Sequence, residues 1–394
     1  MIAKQYREML GKRSKIRSLS EFAVARGKEI GYENVFDLTL GNPSVPAPQE
    51  FTDKMIALLN EKEPVALHGY SQSLGIYEVR EAVARSLSER FGLPYCAEHI
   101  FMTSGAAGAI AHAVRCVVEQ GEQVITIAPY FPEYIPYVEK TGATLKIISA
   151  DEKSFQINFD ELETAINEKT AAILINTPNN PSGVVYSEET LCRLADLLRK
   201  KQAEYGREIF IISDEPYREI IFDGKDFPAP ARFYENTIMC YSFSKSLSIP
   251  GERIGYVAFP PSHKDAAQMA TVCGQISRGI GHNCPASIIQ LAIADCLDKT
   301  ADLSVYEENR NLICDCFDRL GVDYVKPDGT FYILPKALEP NAEAFCEKAL
   351  AYDLVLVPAD TFGAPGYFRM AYCISTEKLK RALVAFERFV REVY

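Results

Sequence analysis

The sequence predicts an α/β protein: a large domain with a mostly parallel, seven-stranded sheet between helices, followed by a smaller α+β domain. Two observations carry this. Between residues 99 and 259 seven short β-rich runs, HIFMT, QVITIA, TLKIIS, AAILIN, EIFIIS, TIMCYSF and RIGYVAF, alternate with helical patterns, as expected of strands joined by covering helices. After residue 285 the texture changes to a long helical stretch followed by short runs and a closing helix. With 394 residues the chain also exceeds the roughly 250–300 at which single cores stop growing.

Taken in order, the N-terminal stretch carries Ile16, Leu19, Phe22 and Ala23 at helical spacing, which suggests an arm or short helix. The first β-rich run leads into GAAGAIAHAVRCVVEQG, a helix by pattern. The fourth leads into SEETLCRLADLLRKKQAEYG, where Ser187 is the expected N-cap and Gly206 the expected stop. From 286 to 321, ASIIQLAIADCLDKTADLSVYEENRNLICDCFDRLG reads as one long helical stretch. VDYVKPDGTFYILP, VLVPAD, YFRMAYC and the helix STEKLKRALVAFERFVREVY complete the chain. We expect residues 1–45 to be an arm plus part of the small domain, 46–290 the large domain, and 291–394 the small one. No repeat, low-complexity tract or Pro/Gly linker interrupts the chain, so the lobes should pack together and form a ligand site between them.

A formal net charge of −11 and a pI near 5.2 argue against nucleic acid and anionic membranes as partners. The eleven cysteines contain no CxxC pair and the five histidines are scattered, so no metal site is expected. The charged start MIAKQYREMLGKRSK has no secretory pattern, and no apolar run approaches the roughly 18 residues of a membrane span. The expected location is cytoplasmic.

In open α/β sheets ligands bind beyond the carboxyl ends of the strands, so the residues following each run are the ones to weigh. After HIFMT, Ser104 and Gly105 open a helix whose free N–H groups can hold a phosphate, or simply be capped. TPNNPSG is either a plain turn or a means of presenting the Asn180 amide at the sheet edge. Asp214 ends an apolar strand, where a carboxylate is expensive unless paired; a cationic partner explains it better than a cap. Lys245 follows TIMCYSF; it is either a solvated surface lysine or one in a partly dry cleft, its pKa lowered to suit a nucleophile.

Together, LTLGNPS, HGYSQSLGIYEVREAVA, TSGAAGAI, NTPNNPSGVVYS, SDEPYREI, YSFSKSLSIPGERIGY and FRMAYC resemble, in order and over nearly the whole chain, the class I and II aminotransferases of the aspartate aminotransferase fold. That resemblance implies the type I pyridoxal-phosphate transferase fold and pyridoxal 5′-phosphate as cofactor. It also implies transfer of an amino group from an L-amino acid to a 2-oxo acid. Lys245 would hold the cofactor covalently and move the proton. Asp214 would pair with the pyridinium nitrogen, and Tyr217 and Asn180 would bond the ring oxygen. Phe131 would stack on the ring, although core packing is the commoner fate of a Phe. Ser242, Arg253 and the N–H groups of Ala106 and Ala107 would bind the phosphate, with Tyr70 reaching it from the other subunit of a homodimer. Arg369 would grip the substrate carboxylate beside Gly41 and Asn180. Arg278 falls near the place where dicarboxylate-specific relatives bring a second arginine from the partner.

The chief alternative keeps the cofactor but ends in elimination, as in a carbon–sulfur β-lyase. A ligand-sensing transcription regulator would need an appended DNA-binding domain, and a nicotinamide enzyme a GxGxxG after the first strand.

Overall fold

The computed structural model describes Ile2, Arg7 and residues 15–394; the charged start weighed above lies largely outside the described residues. Among the described residues, chain order begins with helix α1 (Lys15–Ile30) and the short strand β1 (Phe36–Asp37). The central sheet follows: β2 (Ile100–Thr103), β3 (Gln123–Ala128), β4 (Thr144–Ser149), β5 (Thr170–Asn176), β6 (Phe210–Asp214), β7 (Thr237–Ser242) and β8 (Gly255–Ala258). Their order is β2-β8-β7-β6-β5-β3-β4, and every pairing is parallel except the two made by β8. All seven β-rich runs of the sequence are strands of this sheet.

Residues of β5, β6 and β7 are buried throughout, because helices cover both faces. Ile173, Ile175 and Ile211 point to one core and Leu174 and Ile212 to the other, the period-two alternation of a strand. Helix α2 (Tyr77–Phe91) precedes the sheet, and α3 (Gly105–Val117) packs Ala109, Ile110, Ala113 and Val114 on one face. Helix α4 (Glu188–Tyr205) packs Leu191, Leu194 and Leu198 on the other. Its ends are as expected: the Ser187 hydroxyl accepts from the Thr190 N–H at 3.1 Å, and Gly206 is left-handed at φ 65°. The short α5 (Phe243–Ser246) follows β7, and α6 (Ala266–Gly279) lies against α3.

One expectation needs correction. The stretch 286–321 is two helices, Ser287–Ile293 and α7 (Ser304–Leu320), separated by irregular chain. Apolar periodicity runs through the break, but Asp302 accepts the Ser304 N–H at 3.2 Å and the Ala301 N–H donates to the Ser246 carbonyl at 2.7 Å. Those bonds satisfy the backbone outside a helix.

The second sheet is antiparallel and has the order β11-β12-β9, with β9 (Tyr332–Ile333), β10 (Leu354–Val355), β11 (Val357–Pro358) and β12 (Phe368–Ala371) taken in chain order. Strand β10 instead pairs in parallel with β1, so residues near position 36 are built into the C-terminal part. The closing helix α8 (Thr376–Val393) buries Leu379, Leu383, Phe386 and Phe389 there. Helix α1 is tied to the same region by Arg26 Nε to Asp353 at 2.8 Å and by the Lys15–Glu343 ion pair. Among the described residues no helix is long and apolar enough to cross a membrane.

Candidate active site

A cavity of about 320 Å³ lies at the carboxyl edge of the central sheet, where α1, the 39–41 loop and β12 close over it. Strand ends supply most of its chemistry: Asn176 from β5, Asp214 from β6 and Ser242 from β7, with Lys245 three residues further on. Parallel strands all end on the same edge, which is why residues far apart in sequence meet there.

Lys245 donates from Nζ to the Gly41 carbonyl at 2.6 Å and sits 5.4 Å from the Phe331 ring centre. Burial, reinforced by the nearby positive charges of Arg253 and Arg369 against an opposing effect of Cys373, pulls its pKa down to about 8. The amine is therefore accessible near neutral pH, as a nucleophile or base requires. The Gly41 backbone is set by Thr39, whose N–H and hydroxyl both bond Asp37 Oδ1. A side chain at Gly41 would overlap the Tyr332 hydroxyl.

Asp214 is buried, and that burial raises its pKa to about 7, opposed by a 2.6 Å hydrogen bond from the Tyr134 hydroxyl to Oδ2. Its Oδ1 has no partner among the described residues although it is buried. Such a carboxylate leaves room for an N–H cation in the cavity. Next to it, Asn176 donates to the Asp214 carbonyl at 2.9 Å and accepts the Asn180 N–H at 2.6 Å. This pair of bonds holds the Asn179–Asn180 turn against the sheet edge.

Arg369 rises from β12 into the same cavity and is fully enclosed. It donates to Asn180 Oδ1 at 3.1 Å and to the Thr39 carbonyl, while Nε has no partner among the described residues. Its guanidinium lies 4.6 Å from the Tyr332 ring centre and 4.8 Å from that of Phe362. Because Asn180 turns its amide oxygen to Arg369, its amide nitrogen is the end left to donate. Burial, with the neighbouring Tyr332, raises the Tyr217 pKa well above the ordinary phenol value. Among the described residues no carboxylate pairs with Arg369, so a planar guanidinium is available to a ligand carboxylate.

The remaining wall is a cup of donors. Ser242 caps α5 by accepting the Ser244 N–H at 3.2 Å, and its hydroxyl donates to Ser244 Oγ at 2.8 Å. Arg253 Nη1 reaches Ser244 Oγ at 3.4 Å and the Pro250 carbonyl at 2.9 Å, and Nη2 reaches the Ser104 carbonyl at 3.2 Å. Arg253 itself is left-handed at φ 52°, a conformation that a long side chain adopts only when its surroundings hold it. Ala106 and Ala107 line the cup from the first turn of α3. That turn can come so close because Gly255 has no side chain: a Cβ there would lie 2.9 Å from Gly105 Cα and overlap the Tyr241 carbonyl. A helix N-terminus, two hydroxyls and a guanidinium make an anion site.

Of the residues singled out in the sequence, Gly41, Ala106, Ala107, Phe131, Asn180, Asp214, Tyr217, Ser242, Lys245, Arg253 and Arg369 all line this one cavity. Phe131 packs edge-on to Tyr134 at 5.8 Å. Tyr70 does not join them within its own chain; it is fully solvent-exposed beside the short helix Pro64–His68. Arg278, exposed in the last turn of α6, also lies outside the cavity. Sequence reasoning missed Tyr134, Asn176, Ser244, Tyr332, and the apolar Ile16 and Leu40 that line the cavity. Ser244 and Asn176 were within reach, being a serine beside Lys245 and the last residue of an apolar strand. Tyr332 carries no local signal.

The protein-family description that matches is "Aminotransferase class I and II", over residues 33–386. An aspartate aminotransferase of Thermotoga maritima is 30% identical over 389 residues, covering 95% of this chain and 98% of the relative. Aromatic-amino-acid aminotransferase 2 of Thermococcus litoralis is 30% identical over 398 residues, covering 96% of each. Among solved structures, an amino transferase of Eubacterium rectale is 45% identical with a TM-score of 0.96, covering 100% of this chain and 99% of that one. The Thermotoga maritima aspartate aminotransferase structure is 29% identical with a TM-score of 0.89, covering 99% and 100%. With the family matched across almost its whole length and the fold shared, the chain belongs to the class I and II aminotransferases, pyridoxal-phosphate-dependent transferases of the type I fold.

Proposed function

We propose that this cavity binds pyridoxal phosphate and an α-amino acid together, with each residue in the role expected from the sequence. The buried Asp214 oxygen that has no partner among the described residues carries the reading, because a carboxylate oxygen lining the cavity fits a protonated ring nitrogen. Pyridoxal phosphate supplies a carbonyl that accepts the amino group and a ring that withdraws electrons from the substrate Cα.

The chain's own residues do the rest. Ser242, Arg253 and the first N–H groups of α3 at Ala106 and Ala107 hold the phosphate, and Asp214 keeps the ring nitrogen charged. Tyr217 and the Asn180 amide donate to the ring oxygen, with Phe131 against the ring face. Arg369 takes the substrate carboxylate in a two-point contact beside Gly41 and Asn180, which orients the Cα–H bond. Lys245, as a free amine, takes the substrate Cα proton on Nζ and holds it as the general acid of the next transfer. The substrates are an L-amino acid and a 2-oxo acid. Aspartate and aromatic amino acids, named for the relatives, are the first donors to try.

Arg369→Ala should raise the apparent KM for amino acids roughly 10- to 100-fold, the worth of a charge-assisted hydrogen-bonded pair. Steady-state kinetics with saturating 2-oxo acid checks this, and an unchanged KM would assign the carboxylate to another residue.

The exposed Tyr70 supports a homodimer in which it completes the phosphate site of the neighbouring subunit. Tyr70→Phe should then weaken pyridoxal phosphate binding about tenfold, read by fluorescence titration of the cofactor-free protein. Equal affinity in variant and parent would remove Tyr70 from the site.

A further inference from the structure

Away from the cavity, α3 and α6 lie side by side and place two cysteines across their contact. Cys116 Sγ donates to the Met269 carbonyl at 3.7 Å, and Cys273 Sγ donates to the His112 carbonyl at 3.9 Å. Met269 is one helical turn before Cys273 and His112 one turn before Cys116, so each thiol reaches to the foot of the other. Each thiol also lies close enough to the other to shift its titration. Cys116 is half-buried and Cys273 fully buried, and both are free thiols.

We propose that Cys116 and Cys273 form a dithiol that hydrogen peroxide converts to a disulfide joining α3 to α6. The asymmetry between the two thiols sets the order of events. Cys116 can meet a small oxidant, and the neighbouring Cys273 favours its thiolate, whereas the neighbouring Cys116 and burial disfavour the thiolate of Cys273. The Cys116 sulfur attacks one peroxide oxygen, the O–O bond breaks, and the departing hydroxide takes a proton and leaves as water. Cys116 is then a sulfenic acid. The Cys273 sulfur attacks the Cys116 sulfur, an S–S bond forms, the S–O bond breaks, and hydroxide leaves with the Cys273 proton as a second water. Two thiols are oxidised by two electrons and one peroxide is reduced to two waters. Other cysteines are placed differently: Cys96 and Cys192 are exposed on separate elements, and Cys314 and Cys316 sit two residues apart on one helix, where side chains do not face each other.

The test treats the full chain, loaded with pyridoxal phosphate, with hydrogen peroxide, then alkylates free thiols under denaturing conditions and maps the peptides by mass spectrometry. The expected product is a Cys116–Cys273 cross-link, two hydrogens lighter than the reduced pair and reversed by dithiothreitol. Cys273→Ser should stop at a sulfenic acid on Cys116 that dimedone traps, and Cys116→Ser should leave Cys273 reduced. Circular dichroism establishes that both variants fold. Recovery of both thiols unmodified from the parent overturns the proposal, as does a Cys116 sulfinic acid without the link, or a disulfide from Cys116 to any other cysteine.

Discussion

Lys245→Ala should lower the transamination rate by about 10⁴-fold or more, since it removes the group proposed both to attach the cofactor and to move the proton. The fold should persist. Among the described residues Lys245 makes one hydrogen bond, to Gly41, and its charged form is disfavoured where it stands, so an apolar replacement relieves a buried amine. Two measurements separate loss of function from loss of structure. Borohydride treatment of the parent should leave the cofactor covalently on the peptide containing Lys245, and treatment of the variant should leave none, while its far-ultraviolet circular dichroism matches the parent. Covalent cofactor retained at another lysine of the variant would remove Lys245 from its central role. A second signature follows from the lowered pKa. Capture of pyridoxal phosphate by the cofactor-free parent should quicken as pH rises toward about 8, as more of the lysine becomes free amine, and level off above it.

How far this site is legible in the sequence depends on where each residue stands. Lys245, Asp214 and Asn180 follow buried apolar runs, and because parallel strands share one carboxyl edge, finding the strands is enough to bring those side chains together. Arg253 is legible through SKSLSIPGER, a turn that places a left-handed arginine beside the cup. What could not be read depends on contacts between distant segments. Gly41 meets Lys245 across 204 positions and Thr39 meets Arg369 across 330; nothing local at residue 39 announces this. Tyr134 sits in a stretch whose plain reading is core packing, and only the folded chain turns its hydroxyl onto Asp214. The break at 294–303 was hidden for the opposite reason. Its apolar spacing suits a helix, and a tertiary bond from Ala301 to Ser246, beside Lys245, prevails.

Asp214→Asn should act in opposite directions on the empty and the loaded protein. In the cofactor-free chain the carboxyl's pKa is raised from 3.8 to about 7 by burial. The folded state therefore holds its proton more tightly than the unfolded state does. The stability that this confers is fully present below about pH 4 and is lost as pH rises through about 7. An asparagine has no such loss. The melting temperature of the cofactor-free variant, compared with that of the parent, should accordingly gain between pH 4 and 7 and hold that gain above 7. With pyridoxal phosphate bound, the charge has its partner and the sign reverses. The parent should gain more melting temperature than the variant on adding the cofactor, and the variant's transamination rate should fall roughly 10²- to 10³-fold, the usual loss when a preorganised charge is removed from a reacting centre. Thermal melts across pH, with and without cofactor, and a single-turnover rate decide the matter. A variant that gains stability when empty but keeps the parent's rate and cofactor response would make Asp214 a buried carboxyl without a ligand. Loss of both stability and rate would make it structural. Only the crossed pattern, stabilised when empty and weakened when loaded, identifies a carboxylate kept buried for a cation that the chain itself does not provide.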